Sequence, residues 1–214
     1  MKYYSQYGQD QFLDQVCFKG MVEGTFVDIG AGDGLEINNT YFFECNRRWK
    51  GVCIEPQEEL FNKLLQNRHC FVENCCISDF RGEEKFLQIK GYSVLLSGLL
   101  KKYNPQHLQR IDAEVQRYKQ TKEIINVKCE PLEDVLRKYN ITKIDLCNID
   151  IEGGELDILK SIDFTTINIK MFVVENPYEV KKMRDFMESR GYVLIKTLGR
   201  DDVYQLQDAP PLKS

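Results

Sequence analysis

The residues with the most chemical potential in this sequence lie in a few short segments. Asp28-Ile29-Gly30-Ala31-Gly32-Asp33-Gly34 follows an apolar run, and Glu55-Pro56 follows the next one. A glycine turn at a strand end lets the backbone approach a ligand closely. Its spacing is not the Gly-x-Gly-x-x-Gly that seats a pyrophosphate on a helix N-terminus. Asp28 and Asp33 flank the turn and would repel a phosphate. They suit a ligand with a cationic amine or sulfonium centre instead. Glu55 is placed to accept hydrogen bonds from both hydroxyls of a ribose. An acid at each expected strand end points to an adenosyl ligand. The plain alternative is a turn carrying solvated acids.

Further acids gather later in the chain, in Asn148-Ile149-Asp150-Ile151-Glu152-Gly153-Gly154-Glu155 and in Glu175-Asn176-Pro177. Asp150, Glu175 and Asn176 would form a hard-oxygen set suited to Mg²⁺ or Mn²⁺. The plain reading is that Asp150 and Glu152 hold loops through backbone hydrogen bonds. It fits Glu155 better, as a cap on the helix that follows. Asn74-Cys75-Cys76, then Ser78-Asp79, close a third apolar run.

These segments need a scaffold that brings strand ends together. Apolar runs at 24–29, 51–56, 70–77, 124–129, 144–149, 170–175, 192–197 and 202–206 read as strands, with a short extra strand at 85–89. Helices are expected at 37–48, 57–67, 105–118, 131–139, 155–160 and 179–190. Strands alternating with helices predict an α/β sheet covered on both faces. The last two strands are too close for a helical crossover and should pair antiparallel. Ligands of such sheets bind outside the carboxyl ends of the strands. Residues 91–121 break the rhythm and read as an insertion or lid over that edge.

The chain has 214 residues, a formal net charge of −4, 43% hydrophobic and 29% charged residues. That predicts one globular domain with a core of its own, residues 1–214, with a flexible tail at 207–214. It could also be one domain of a larger enzyme. The acidic balance argues against general nucleic-acid binding. No apolar run approaches a membrane span. The eight cysteines include no Cys-x-x-Cys pair, and several sit inside apolar runs. They read as buried thiols in a reducing compartment, the cytoplasm. Two Asn-x-Thr sequons, at Asn38 and Asn140, mean little without a secretion signal.

Asp28-x-Gly30-x-Gly32-x-Gly34 with Glu55 resembles the S-adenosylmethionine site of class I methyltransferases. Ser5-Gln6-Tyr7-Gly8-Gln9-Asp10, Asn39-Thr40-Tyr41-Phe42 and Ile149-Asp150-Ile151-Glu152-Gly153-Gly154-Glu155 narrow the resemblance to the FkbM family of O-methyltransferases. It runs from about Ser5 to Phe186 and is loose across 91–121. It implies a Rossmann-like sandwich, with a seven-stranded, mostly parallel sheet ending in an antiparallel hairpin. It implies methyl transfer to hydroxyls of sugars, glycans or glycosylated small molecules. The cofactor would meet Gln9, Asp28, Gly30, Ala31, Gly32, Asp33, Gly34, Asn39, Thr40, Glu55, Pro56, Cys75, Cys76 and Asp150. Gly154 and Cys75-Cys76 depart from the usual family pattern. Ser5, Gln9 and Asp10 would close over the methionine end, on the resemblance alone.

Methyl transfer from a sulfonium is an in-line displacement, so the protein must align and activate the nucleophile. A sugar hydroxyl needs a base, a metal ion, or both. Asp150 is the expected base and metal ligand, with Glu152 and Glu175 beside it. The set Asp150, Glu175, Asn176 also resembles that of metal-dependent catechol-type O-methyltransferases, with Glu in place of the second Asp. His107 is a second possible base, though a solvated surface role is expected. His69 and Trp49 read as structural. Tyr92, Tyr103 and Tyr118 would stack on a sugar or fill the lid core. Two competing functions remain: an NAD-type oxidoreductase, which the glycine spacing and the lack of a Tyr-x-x-x-Lys pair disfavour, and an inactive adenosyl-binding module. The acceptor and the oligomeric state are not legible.

Overall fold

The computed structural model describes residues 1–176, 178 and 180–207. Among these described residues there are eleven strands. They are β1 (Thr25–Ile29), β2 (Lys50–Ile54), β3 (Phe71–Glu73), β4 (Cys76–Ile77), β5 (Gly82–Lys90), β6 (Gly98–Leu99), β7 (Thr121–Glu130), β8 (Lys143–Ile149), β9 (Asn168–Glu175), β10 (Tyr192–Leu198) and β11 (Asp201–Leu206). The helices are α1 (Gln9–Phe12), α2 (Tyr41–Arg47), α3 (Glu58–Asn67), α4 (Pro105–Arg117), α5 (Leu132–Lys138), α6 (Glu155–Ser161) and α7 (Val180–Ser189). Of the expected 207–214 tail, residues 208–214 lie outside the described residues, as does the expected helix start at 179.

Seven strands form the main sheet in the order β3-β2-β1-β8-β9-β11-β10. The first five run parallel, and β11 is antiparallel to both neighbours. Side chains alternate between two cores, as the strand period of two requires. Phe26, Cys53, Leu146 and Met171 face the layer holding Phe42, Phe43, Trp49 and Leu64. Val27, Val52, Cys147 and Phe172 face the layer of α5, α6 and α7 through Leu132, Leu159 and Met187. Each such fully buried side chain contributes roughly 1.5–3 kcal/mol.

The expected architecture holds, with three corrections. The 124–129 run does not join the main sheet. It belongs to β7, which pairs antiparallel with β5 from Gly82↔Cys129 to Lys90↔Thr121, in a second sheet ordered β4-β7-β5-β6. The 70–77 run also splits. β3 joins β2, while β4 pairs with β7. The break falls at Asn74, whose amide donates to the Glu55 and Pro56 carbonyls at 2.9 and 3.1 Å. The helix expected from residue 37 begins at Tyr41. Asn38 Oδ1 accepts from the Thr40 and Tyr41 amides at 2.9 and 2.8 Å, capping it late.

Residues 91–120 therefore connect the two long strands of the second sheet. Their helix α4 starts at Asn104, whose side chain accepts from His107 N, with Pro105 in the first turn. Ile111 packs with Leu87, Ile89 and Leu96 in a small core. Among the described residues, no helix is long and apolar enough to cross a membrane.

Candidate active site

The carboxyl ends of β1, β2, β8 and β9 open into a cleft of about 460 Å³, the size of one small-molecule ligand. Beneath it lies a polar knot. Register pairs Asp28 of β1 with Asn148 of β8, and both face the α1–α3 layer. Asp28 is wholly buried and accepts from Asn148 Nδ2 (2.8 Å), Asn38 Nδ2 (2.9 Å) and Thr40 Oγ1 (2.7 Å). Arg68 lies 4.0 Å from Asp28, pairs with Glu44, and donates to Thr40 Oγ1 at 3.0 Å. Asp28 and Thr40, expected at the cofactor, instead organise the motif from below. Three donors hold this carboxylate, and neither Asp28 nor Thr40 lines the cleft. Asp33 is also corrected: its Oδ1 accepts from the amides of Leu35 and Glu36, both at 2.9 Å, and so shapes the turn.

The turn itself lines the cleft through Gly30, Ala31 and Gly32. Gly30 has φ 83°, and a Cβ there would lie 1.7 Å from the Asp150 carbonyl oxygen. The close approach of the β1 and β8 ends thus demands glycine. Gly34 packs under Leu64 and Arg68, away from the cleft wall. Glu55 is 4% exposed and lines the cleft. It accepts from the Gly32 and Gln57 amides at 3.0 and 2.9 Å. Burial pushes its carboxyl up to about 7, against the pull of those two amides. Pro56, Cys75 and Cys76 line the same wall.

Across the floor, Asp150, Glu152 and Glu175 bring carboxylate oxygens within 4.8 Å of one another. Three acids this close cannot all ionise easily. Burial, then the neighbouring Glu175, raises Asp150 well above the carboxylate range. Burial and Asp150 push Glu152 up to about 8, and burial and Glu152 do the same to Glu175. Glu152 sits at φ 58°, followed by two left-handed glycines, Gly153 and Gly154. That non-glycine strain is held in place at the cleft floor. Glu155 accepts from Gly153 N at 2.7 Å, the loop-holding role expected of it. Asn176, expected beside them, turns its amide to Asp202 at 3.3 Å. Glu152 joins Asp150 and Glu175 in the acid cluster.

Of the N-terminal motif, Gln9 lines the cleft and donates to Asp201 at 2.6 Å. Ser5 and Asp10 bond each other and shape the approach to α1 instead. Asn39 lines the cleft and donates to Asn148 at 2.8 Å, leaving its own Oδ1 buried and unpartnered. Sequence reasoning missed Asn38, Asn148, Gln57, Arg110, Arg117, Arg200 and Asp201 as cleft residues. Asp201 pairs with Glu175 across β11 and β9, a neighbour that no spacing reveals. His107 corrects the expected surface role. It is 1% exposed, stacks on Tyr103 at 4.9 Å, and points Nδ1 at Glu152 from 3.6 Å. Burial and the charge of Arg110 lower it to about 4, so it is neutral near pH 7. Trp49 is structural, packing on Phe43, while His69 is exposed and its backbone amide donates to Glu44. Tyr103 packs against the small core around Ile111 and donates to the Leu96 carbonyl, while Tyr92 and Tyr118 line the cleft.

A seven-stranded sheet with this order, a glycine turn after β1 and an acid after β2 define a class I methyltransferase fold. Residues 28–194 match the family described as Methyltransferase FkbM domain, and the chain belongs to that family. It is therefore a methyltransferase-family protein. Among solved structures, it is similar to methyltransferase FkbM from Methylobacillus flagellatus KT, with a TM-score of 0.52 and 13% identity. That likeness covers 94% of this chain and 48% of the other, so the chain spans about half the length of that protein. It is also similar to M. capricolum TrmK in complex with S-adenosyl-homocysteine, with a TM-score of 0.43 and 13% identity, over 95% of this chain and 68% of that one. No curated protein matches the chain.

Proposed function

We propose that this chain is an S-adenosylmethionine-dependent O-methyltransferase whose acceptor is a hydroxyl of a sugar, oligosaccharide or glycosylated small molecule. One observation carries the reading. A single cleft has the glycine turn and Glu55 on one wall and Asp150, Glu152 and Glu175 on its floor. Glu55 would hold the ribose, while Gly30 to Gly32 would let the cofactor backbone lie close. The acid floor would face the sulfonium.

Asp150 is the base in this reading. Burial raises the Asp150 carboxyl well above the ordinary carboxylate range, and in its ionised form such a group is a stronger proton acceptor than a solvated carboxylate. It would take the hydroxyl proton as the oxygen attacks the methyl carbon and the sulfur leaves with its bond electrons. The three carboxylates also fit a hard divalent cation such as Mg²⁺ or Mn²⁺. Bound there, the ion would lower the acceptor hydroxyl's pKa. Glu152 would join that set.

Calorimetry with S-adenosylhomocysteine and with NAD tests the cofactor. Binding of S-adenosylhomocysteine alone supports the reading; binding of NAD alone favours an oxidoreductase and removes it. Turnover unchanged by EDTA would remove the metal. Binding without turnover across a glycoside panel would favour an inactive adenosyl-binding module.

A further inference from the structure

We propose that the cleft rim is a subsite for an anionic group, a carboxylate or a phosphate, carried by the acceptor. This rests on the methyltransferase reading. The acids at the cleft floor account for a cationic cofactor, but not for the cations beside them. Three cationic side chains line the cleft, Arg110, Arg117 and Arg200, and all are arginines. Lysine is a compact point charge, whereas arginine presents a planar fork that matches carboxylate and phosphate oxygens.

The three differ in how far their charge is already used. Arg110 lies 3.6 Å from Glu152 and 3.3 Å from Glu114, so it is compensated within the site. Arg200, in the turn between β10 and β11, comes only to 4.0 Å from Glu175, with its side chain 42% exposed. Arg117 has no ion-pair partner among the described residues and stacks its guanidinium 5.4 Å from the Tyr118 ring. Glu114, three residues before it on the same helix face, is engaged by Ser93 Oγ at 2.7 Å and by Arg110.

Helix geometry explains the grouping. Arg110, Glu114 and Arg117 fall at i, i+4 and i+7, one stripe of α4. That stripe lines the cleft while the adjacent side, through Ile111, is anchored in the small core. Beside it, Tyr92 and Tyr118 meet at 4.7 Å while 79% and 42% exposed. Exposed paired rings offer a sugar face a surface to lie on. The same cleft is lined by Asp150 and by this stripe, so an acceptor seated beside the cofactor would have both within one enclosure. An anionic sugar would lay its ring on the tyrosines and its charge on Arg117.

The test uses the whole chain loaded with S-adenosylhomocysteine. Methyl glucuronide, glucose 6-phosphate and methyl glucoside are titrated separately, then repeated with Arg117→Ala and Arg117→Lys. The expected result is that at least one anionic probe binds about tenfold or more tighter than the neutral one. Whichever anionic probe binds tighter names the anion. Arg117→Ala should abolish the preference and leave the affinity for S-adenosylhomocysteine unchanged. Arg117→Lys should keep only part of it, since the fork is lost. Equal binding of all three probes, no binding by either anionic probe, or a preference that survives Arg117→Ala would overturn the subsite. Failure of the wild-type chain to bind S-adenosylhomocysteine would instead overturn the methyltransferase reading on which it rests.

Discussion

Replacing Asp28 by Asn separates a residue that builds the site from one that touches the ligand. The change keeps the shape and removes the charge. It also turns one acceptor oxygen into an amide donor. That donor would face either Asn148 Nδ2 at 2.8 Å, or Asn38 Nδ2 and Thr40 Oγ1 at 2.9 and 2.7 Å. At least one charge-assisted hydrogen bond is lost, worth about 1.5–3 kcal/mol. Arg68 also loses one of its two buried anions, though Glu44 remains. Breaking a buried pair costs about 3–5 kcal/mol when no other partner remains. With Glu44 still paired, the expected loss sits at the upper end of the hydrogen-bond figure, about 3 kcal/mol, a large share of a typical domain's roughly 5–15. For a chain of this size it lowers the midpoint by about 10 °C. Urea unfolding followed by circular dichroism measures the loss. Calorimetry with S-adenosylhomocysteine below the shifted midpoint shows whether the folded fraction still binds. If the variant is as stable as wild type yet fails to bind, Asp28 is a ligand contact and the account of the knot is wrong.

Glu55→Gln should do the reverse, keeping the fold and weakening S-adenosylhomocysteine by about tenfold or more, since a charged acceptor becomes neutral. Its pH dependence has a definite sign. Burial raises the folded carboxyl from an ordinary 4.5 to about 7. Its stabilising effect is therefore full below 4.5 and lost as pH rises through about 7. Ligand affinity runs the other way, because only the carboxylate accepts both ribose hydroxyls. Wild-type binding should weaken from about pH 8 to about pH 6, while the Gln variant stays flat; equal slopes by calorimetry would refute this. Asp150→Asn should lower turnover about 100- to 10,000-fold with S-adenosylhomocysteine binding retained, and full turnover would remove it as the base. Gly30→Ala, whose Cβ would meet the Asp150 carbonyl at 1.7 Å, should cost more than about 2 kcal/mol in urea unfolding and abolish binding; a stable, binding variant would contradict the close approach.

Much of the sheet was legible because its strands are continuous apolar runs, and the glycine turn and Glu55 mark two of their ends. The second sheet was not. The 124–129 run has the composition of a core strand, yet its membership depends on a nine-position pairing with β5 that lies far away in sequence. Roles at the strand ends were harder still. Asp28 and Asp33 have the right type and position for a ligand, but a side chain's direction decides what it meets. Asp28 points down into Asn38, Thr40 and Asn148, and Asp33 bends back onto its own turn. Glu152 became a floor residue through its left-handed backbone, which the following glycines permit. His107 looked solvated in a polar helix, but α4 turns that residue inward onto Tyr103.

The central claim is methyl transfer from S-adenosylmethionine to a sugar hydroxyl at the Asp150 floor. Incubation with methyl-labelled S-adenosylmethionine and a panel of glycosides, read by mass spectrometry, tests it most directly. The account predicts a labelled methyl ether on at least one glycoside, absent with Asp150→Asn. Label that appears only on nitrogen or carbon of an acceptor, or on no acceptor at all with the cofactor bound, would contradict it.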